Sequence, residues 1–217
     1  MTFIYVGGRQ CLNFVGTMKH RHASREELLT EPELLSDWAI QGGLLDAAID
    51  VTVDDLAATL ELREAIYRTV IARLEHRRPQ RADVDLINQA SSQPQLAPRL
   101  LRTGATRRDG TVSQLLATLA ADLLDLLAGP DIENVKQCSH PDCTRLYLDA
   151  SRAKNRHWCG MGTCGNKAKV QAFRARQRAA SASMGSPTGW GTRQSSSAGL
   201  WPNRDTMKTR LRRYREV

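Results

Sequence analysis

No apolar run in this chain approaches the length that crosses a bilayer, which excludes an integral membrane protein built on helical spans. The start, MTFIYVGGRQ, has no basic region ahead of an apolar stretch and does not read as a secretory signal. The chain has no Gly-rich phosphate loop, no His-Glu-x-x-His and no nucleophile elbow. It shows no internal repeat. These absences lead us to expect a cytoplasmic protein of one or two domains that is not an enzyme.

Hydrophobic residues make up 41% of the chain, enough for a core. The net charge of +8 is unevenly placed. Residues 1–135 carry 14 basic and 19 acidic side chains, residues 136–178 carry 10 and 2, and residues 179–217 carry 7 and 2. An acidic front and a basic rear point to a polyanion partner for the rear.

Four of the cysteines lie in that rear. Cys138 and Cys143 have four residues between them, as do Cys159 and Cys164, and fifteen separate the pairs. Thiolates are soft ligands, and a structural Zn²⁺ takes four in a closed tetrahedron. Disulfides and an iron–sulfur cluster are the competing readings. A reducing compartment disfavours the first, and the run lacks the close three-cysteine spacing of bacterial ferredoxins. His140 and His157 lie inside the module, but a four-cysteine site needs neither. Four closed positions also leave no opening for a catalytic water.

Gly165-Asn166 suits a turn into a helix, and KAKVQAFRARQRAA follows, rich in good helix formers. The period places Val170 and Phe173 on one face, expected to pack on the metal knuckles. Lys167, Lys169, Arg174, Arg176 and Arg178 cover most of the rest. Arg152, Lys154 and Arg156 alternate along a polar loop before the second pair. Together these eight cations make a footprint for a phosphate backbone.

These residues resemble the CGNR zinc finger family. Tyr147-Leu148-Asp149-Ala150-Ser151-Arg152 matches its middle segment, and Trp158-Cys159 the next. Cys164-Gly165-Asn166-Lys167 matches the last, with lysine where the family has arginine. Lysine keeps the charge but not the planar fork. The resemblance implies a zinc-stabilised module in a bacterial transcription regulator that binds DNA.

The front of the chain reads as mainly helical. Phe3–Val6 is β-prone and ends at Gly7-Gly8, so a strand and turn are expected there. Cys11–Val15 reads as a short buried helix, with Cys11 a core thiol. Thr30 should cap a helix with Pro32 in its first turn, Leu34, Leu35 and Trp38 inward, and a stop at Gly42-Gly43. The longest helix should run from Val53 to Arg77, capped by Thr52 and stopped by Pro79. Leu56, Leu60, Tyr67, Val70 and Leu74 form its stripe, with Arg63 and Glu64 beside it as an ion pair or part of a ligand site. A helix over Ala82–Ala90, a loop or weak hairpin over Ser91–Gly110, and a helix over Thr111–Ala128 complete the front.

In the CGNR family a domain of this kind, called ABATE, precedes the finger. Gln10-Cys11-Leu12-Asn13-Phe14-Val15-Gly16-Thr17 resembles its opening motif, with Asn13 standing for aspartate and Gly16 for asparagine. Leu62–Tyr67 also fits. The expected organisation is a mainly α protein: an ABATE-like domain over 1–130 with a minor strand or hairpin, a finger over 136–180 ending in a basic helix, and a disordered basic tail over 181–217. The expected partner is duplex DNA, with RNA and a protein target as the other readings. The front domain is expected to sense a small-molecule effector or form a homodimer.

Overall fold

Local capping signals set where the long helices begin. Thr52 opens helix α3, Val53–Leu74: its hydroxyl accepts from the Asp55 amide, and the Asp55 carboxylate accepts in return from the Thr52 amide. Thr111 and Gln114 make the same reciprocal pair at the start of α5, Val112–Ala128. The computed structural model describes residues 2–183. Met1–Arg176 form one compact unit and Gln177–Val217 a second, of which only 177–183 are described.

The remaining elements of the front are short. Helix α1 spans Gln10–Val15, β1 Met18–Lys19, β2 Glu26–Glu27, α2 Pro32–Gln41, α4 Arg81–Ser91, β3 Arg99–Leu100 and β4 Thr106–Arg107. The β1–β2 and β3–β4 pairs are antiparallel hairpins. The expected hairpin within 91–110 is therefore present, although both of its strands are exposed.

Three local expectations are corrected. Phe3–Val6 forms no ladder; Phe3 is held instead by burial in the core, and the Tyr5 hydroxyl donates to the Trp38 carbonyl at 2.6 Å. Thr30 does not cap α2. Glu31 occupies the cap position in extended conformation, as the residue before a proline prefers, and Pro32 starts the helix. Helix α3 ends at Leu74 rather than Arg77, because His76 adopts φ 54° and breaks the helical path before Pro79 is reached.

One core joins the helices. Leu12, Phe14, Leu35, Trp38, Leu62, Ile66, Leu115, Leu119 and Leu123 are all buried in it. Trp38 lies 5.4 Å from the Phe14 ring and 6.2 Å from Tyr5, so it packs as a core residue. Cys11 is fully buried, and burial pushes its thiol well above its ordinary value. Its amide donates to Asp122 of α5 at 2.8 Å, and Arg9 donates to the same carboxylate at 2.9 Å, which locks α1 to α5.

The core extends into the rear of the chain. A single 3₁₀ turn, Pro130–Asn134, leads into β5, Val135–Gln137, which pairs antiparallel with β6, Leu146–Leu148. Val135, Leu146 and Leu148 all pack against the helical core. The Leu148 amide also donates to the Gly7 carbonyl at 2.8 Å. A π-helical turn over Met161–Gly165 then opens α6, Asn166–Ser183.

Candidate metal centre and nucleic-acid interface

The two cysteine pairs are brought together by the β5–β6 hairpin. Cys138 follows directly on β5, and its amide donates to the Arg145 carbonyl at 3.0 Å, closing the first knuckle. Inside that knuckle the Cys143 amide donates to the His140 carbonyl at 2.9 Å. The second pair is docked onto the first: Ser139 donates to the His157 carbonyl at 2.9 Å, and the Cys159 amide points at Cys138 Sγ at 3.4 Å. The Gly165 amide closes the π turn on the Gly160 carbonyl at 3.0 Å, which places Cys164 at the foot of α6.

The four sulfurs all lie within 4.8 Å of one another. Cys143 and Cys159 sulfurs are 3.8 Å apart, and Cys159 and Cys164 sulfurs 3.7 Å. Sulfurs at the corners of a zinc tetrahedron with bonds of about 2.3 Å are separated by about 3.8 Å. The donor set therefore fits a structural zinc ion in both chemistry and spacing. His140 and His157 are not part of the cluster.

The electrostatics agree with a cation at the centre. The thiols of Cys143 and Cys159 hydrogen-bond to Cys138 and hold it strongly toward the thiolate, while the same sharing pushes Cys143 strongly toward the thiol. Burial raises Cys164 to about 11. Four sulfurs this close do not ionise together unaided, whereas a coordinating cation deprotonates its thiols outright.

Asp149 is the hub that shapes the loop between the pairs. It is fully buried, and its carboxylate accepts from Lys136 Nζ at 2.7 Å, from the Ser151 hydroxyl at 2.6 Å and amide at 3.1 Å, and from the Arg156 amide at 2.9 Å. Lys136, then Ser151, hold its carboxyl well below the usual carboxylate range. Sequence reading quoted Asp149 as a motif position without a role and passed over Lys136. A lysine thirteen residues ahead of the motif aspartate, on β5 while the aspartate directly follows β6, was the available signal.

The eight predicted phosphate-binding cations divide into groups. Lys167, Lys169, Arg174, Arg176 and Arg178 are exposed on α6, and Arg152 is exposed on the loop. Lys154 is also exposed, with φ 48° and its Nζ donating to the Asp149 carbonyl at 2.9 Å. Arg156 is turned inward. Its Nε donates to the Trp158 carbonyl at 2.8 Å, its Nη2 donates to the Cys159 carbonyl, and its guanidinium lies 4.5 Å over the Tyr147 ring. Val170 and Phe173, expected to pack on the knuckles, are 47% and 55% exposed. The apolar cluster around the sulfurs is completed instead by Tyr147, Val6 and Trp158.

In the front domain, Arg63 and Glu64 belong to a buried ion network. Arg63, 1% exposed, donates to both Glu27 oxygens at 2.7 and 2.6 Å, to Glu64 at 2.9 Å and to Thr17 at 3.1 Å. Arg21 donates to Glu64 at 3.1 and 3.2 Å and stacks 4.1 Å over Tyr67. The network pins the β1–β2 hairpin to α3.

Comparison with known families follows the same division. A family model described as "Putative stress-induced transcription regulator" (ABATE) matches residues 8–130. A second model, CGNR zinc finger, matches residues 134–177. No curated protein matches the chain.

Proposed function

The chain belongs to the ABATE family and carries a CGNR zinc finger, and on that premise we propose that it is a DNA-binding transcription regulator. The observation that carries the reading is the placing of the sulfur cluster at the foot of a helix whose five cations are exposed. In this reading Cys138, Cys143, Cys159 and Cys164 hold a structural zinc ion, which fixes the direction in which α6 leaves the body. Lys167, Lys169, Arg174, Arg176 and Arg178 face the duplex, and Arg152 and Lys154 meet the flanking phosphates. The front domain, taken as residues 1–130, senses an effector or dimerises. The finger occupies 136–180. The tail over 181–217 lies beyond the described residues except for the last turn of α6.

The test is duplex binding as a function of salt. Five neutralised phosphates give a slope of about −4.5 in log K against log salt. Changing Lys167, Arg174 and Arg178 together to Glu abolishes binding with zinc content unchanged. Normal binding by that variant overturns the assignment of α6. A second reading, a zinc-built adaptor for a protein, draws on the exposed Met161, Val170 and Phe173. It predicts that Phe173→Ser abolishes partner capture and leaves duplex binding intact. An RNA reading is weaker, because Tyr147, an aromatic that could stack on a base, is fully buried.

A further inference from the structure

Between the β1–β2 hairpin, the first cysteine knuckle and the start of α6 lies a cleft of about 660 Å³, within the size range of small-molecule sites. Two side chains in its wall are buried and short of a partner. His140 is 6% exposed, and its Nδ1 accepts from the Asp142 amide at 3.3 Å. Its Nε2 has no partner. Arg145 is 7% exposed, and its Nε also has no partner. Gly16 explains part of this, since a Cβ there would stand 3.9 Å from Arg145 Nε and glycine has no side chain to accept the proton. A buried arginine donor of this kind calls for an acceptor.

The rest of the lining describes what that acceptor belongs to. Lys19 is already neutralised by Glu26 at 2.7 Å, the cleft's one carboxylate. Lys167, at the start of α6, adds a further cation to that of Arg145. Ile4 and Val170 contribute apolar surface, at 39% and 47% exposure. An unpaired buried guanidinium donor and surplus positive charge beside an apolar wall suit an anion with an apolar body.

We propose that this cleft binds a small organic anion, a carboxylate or phosphate monoester carrying an apolar group, and that its occupancy weakens DNA binding by engaging Lys167 at the foot of α6. The site deepens the sensing role given to the front domain, and its effect on DNA rests on the regulator reading. The ligand would be gripped by residues of both matched families, the hairpin from one side and the finger from the other. Coupling to DNA is then reciprocal: the factor by which the anion weakens DNA binding is the factor by which DNA weakens the anion.

The experiment uses the full-length, zinc-loaded protein with phenyl phosphate, benzoate and inorganic phosphate as probes, read by calorimetry and by amide chemical shifts. At least one organic anion binds, and inorganic phosphate binds about tenfold more weakly for lack of apolar contact. Arg145→Gln and Ile4→Trp each weaken the organic anion about tenfold, as expected for a lost charge-assisted hydrogen bond or a filled cleft. Ile4→Trp stands outside the finger, so it remains informative if Arg145→Gln disturbs zinc retention. Equal binding by both variants, or no binding of either organic anion, overturns the proposal. So does loss of duplex binding in the variants without anion binding, which would make the cleft part of the nucleic-acid surface. Anion binding at the cleft with no duplex affinity at all upholds the site and overturns the regulator reading instead.

Discussion

Tyr147 and Arg156 hold each other twice: the phenol donates to the Arg156 carbonyl at 2.7 Å, and the Arg156 guanidinium lies 4.5 Å over the phenol ring. The ring is fully buried, and burial pushes its hydroxyl up to about 12. The arginine thus braces the loop that carries the second cysteine pair onto the first. It reaches the carbonyls of Trp158 and Cys159 at the same time. A charge read from sequence as a phosphate ligand also braces the scaffold.

This separates Arg156 from its neighbour Arg152. Arg156→Gln should speed zinc loss to a chelator, because the loop loses both its stacking and its carbonyl contacts. Arg152→Gln should leave zinc retention alone and reduce the magnitude of the DNA salt slope by about 1, as for one lost phosphate contact. Competition with a colorimetric chelator and anisotropy titrations measure the two effects. Reversed outcomes would exchange the roles of the two arginines.

Contacts of this kind lie beyond what a sequence carries, which is chiefly local. The Thr52 cap and the apolar period of α5 were legible, because they depend on residues close in the sequence. The cysteine spacing was legible for the same reason: each knuckle is local. The face of α6 was not. Val170 and Phe173 do share a face, but a periodic pattern says nothing about whether another surface arrives to cover it. The β1–β2 hairpin, with two residues per strand, leaves no alternation to detect. Its partners across α3, such as Arg21 with Glu64, are 43 residues apart. Arg63 and Glu64 were visible as a pair, whereas Glu27 and Arg21 became meaningful only once the hairpin folded over them.

Removing one member of that network leaves a buried charge without compensation. Arg63→Ala should cost about 3–5 kcal/mol, the range for breaking a buried ion pair from one side. Arg63→Met, which keeps the stem and removes the charge, should also destabilise strongly, since it leaves Glu27 without the pair of donors that Arg63 supplies. Adding Glu27→Gln to Arg63→Met should recover part of the loss. Urea unfolding monitored by far-ultraviolet circular dichroism measures all three, and additive losses would show that the two residues are not coupled.

Glu64 gives the network a pH signature. Burial alone would raise its carboxyl, but the hydrogen bond and charge of Arg21, with those of Arg63, outweigh it and leave it lowered. A lowered folded value means that the contribution is complete above the unfolded value of about 4.3 and is lost as pH falls through the folded one. The stability difference between the native chain and Glu64→Gln should therefore be flat from neutral pH down to about pH 5 and shrink below about pH 4. Zinc loss in acid affects both proteins alike and cancels from the difference. A gap that widens in acid would mean that the carboxyl is raised instead.

Metal removal should unravel only part of the rear. Val135, Leu146 and Leu148 pack into the helical core, so the β5–β6 hairpin has support that does not pass through the sulfurs. Cys138, Tyr147, Cys159 and Cys164 form a separate small cluster with little apolar area of its own. Structural zinc supplies apparent folding energy of about 10–16 kcal/mol in finger peptides, and here that energy has only the knuckles to hold. Chelation should therefore abolish amide protection across 138–145 and 149–165 while protection in the β5–β6 hairpin, α1, α3 and α5 persists. Cys164→Ser should act the same way and also lose DNA binding, since α6 then leaves the body without a fixed direction. Hydrogen exchange with and without chelator reads both effects. Uniform loss of protection across the front would show that the metal holds the helical core as well, and unchanged protection in the knuckles would show that the sulfur cluster needs no cation.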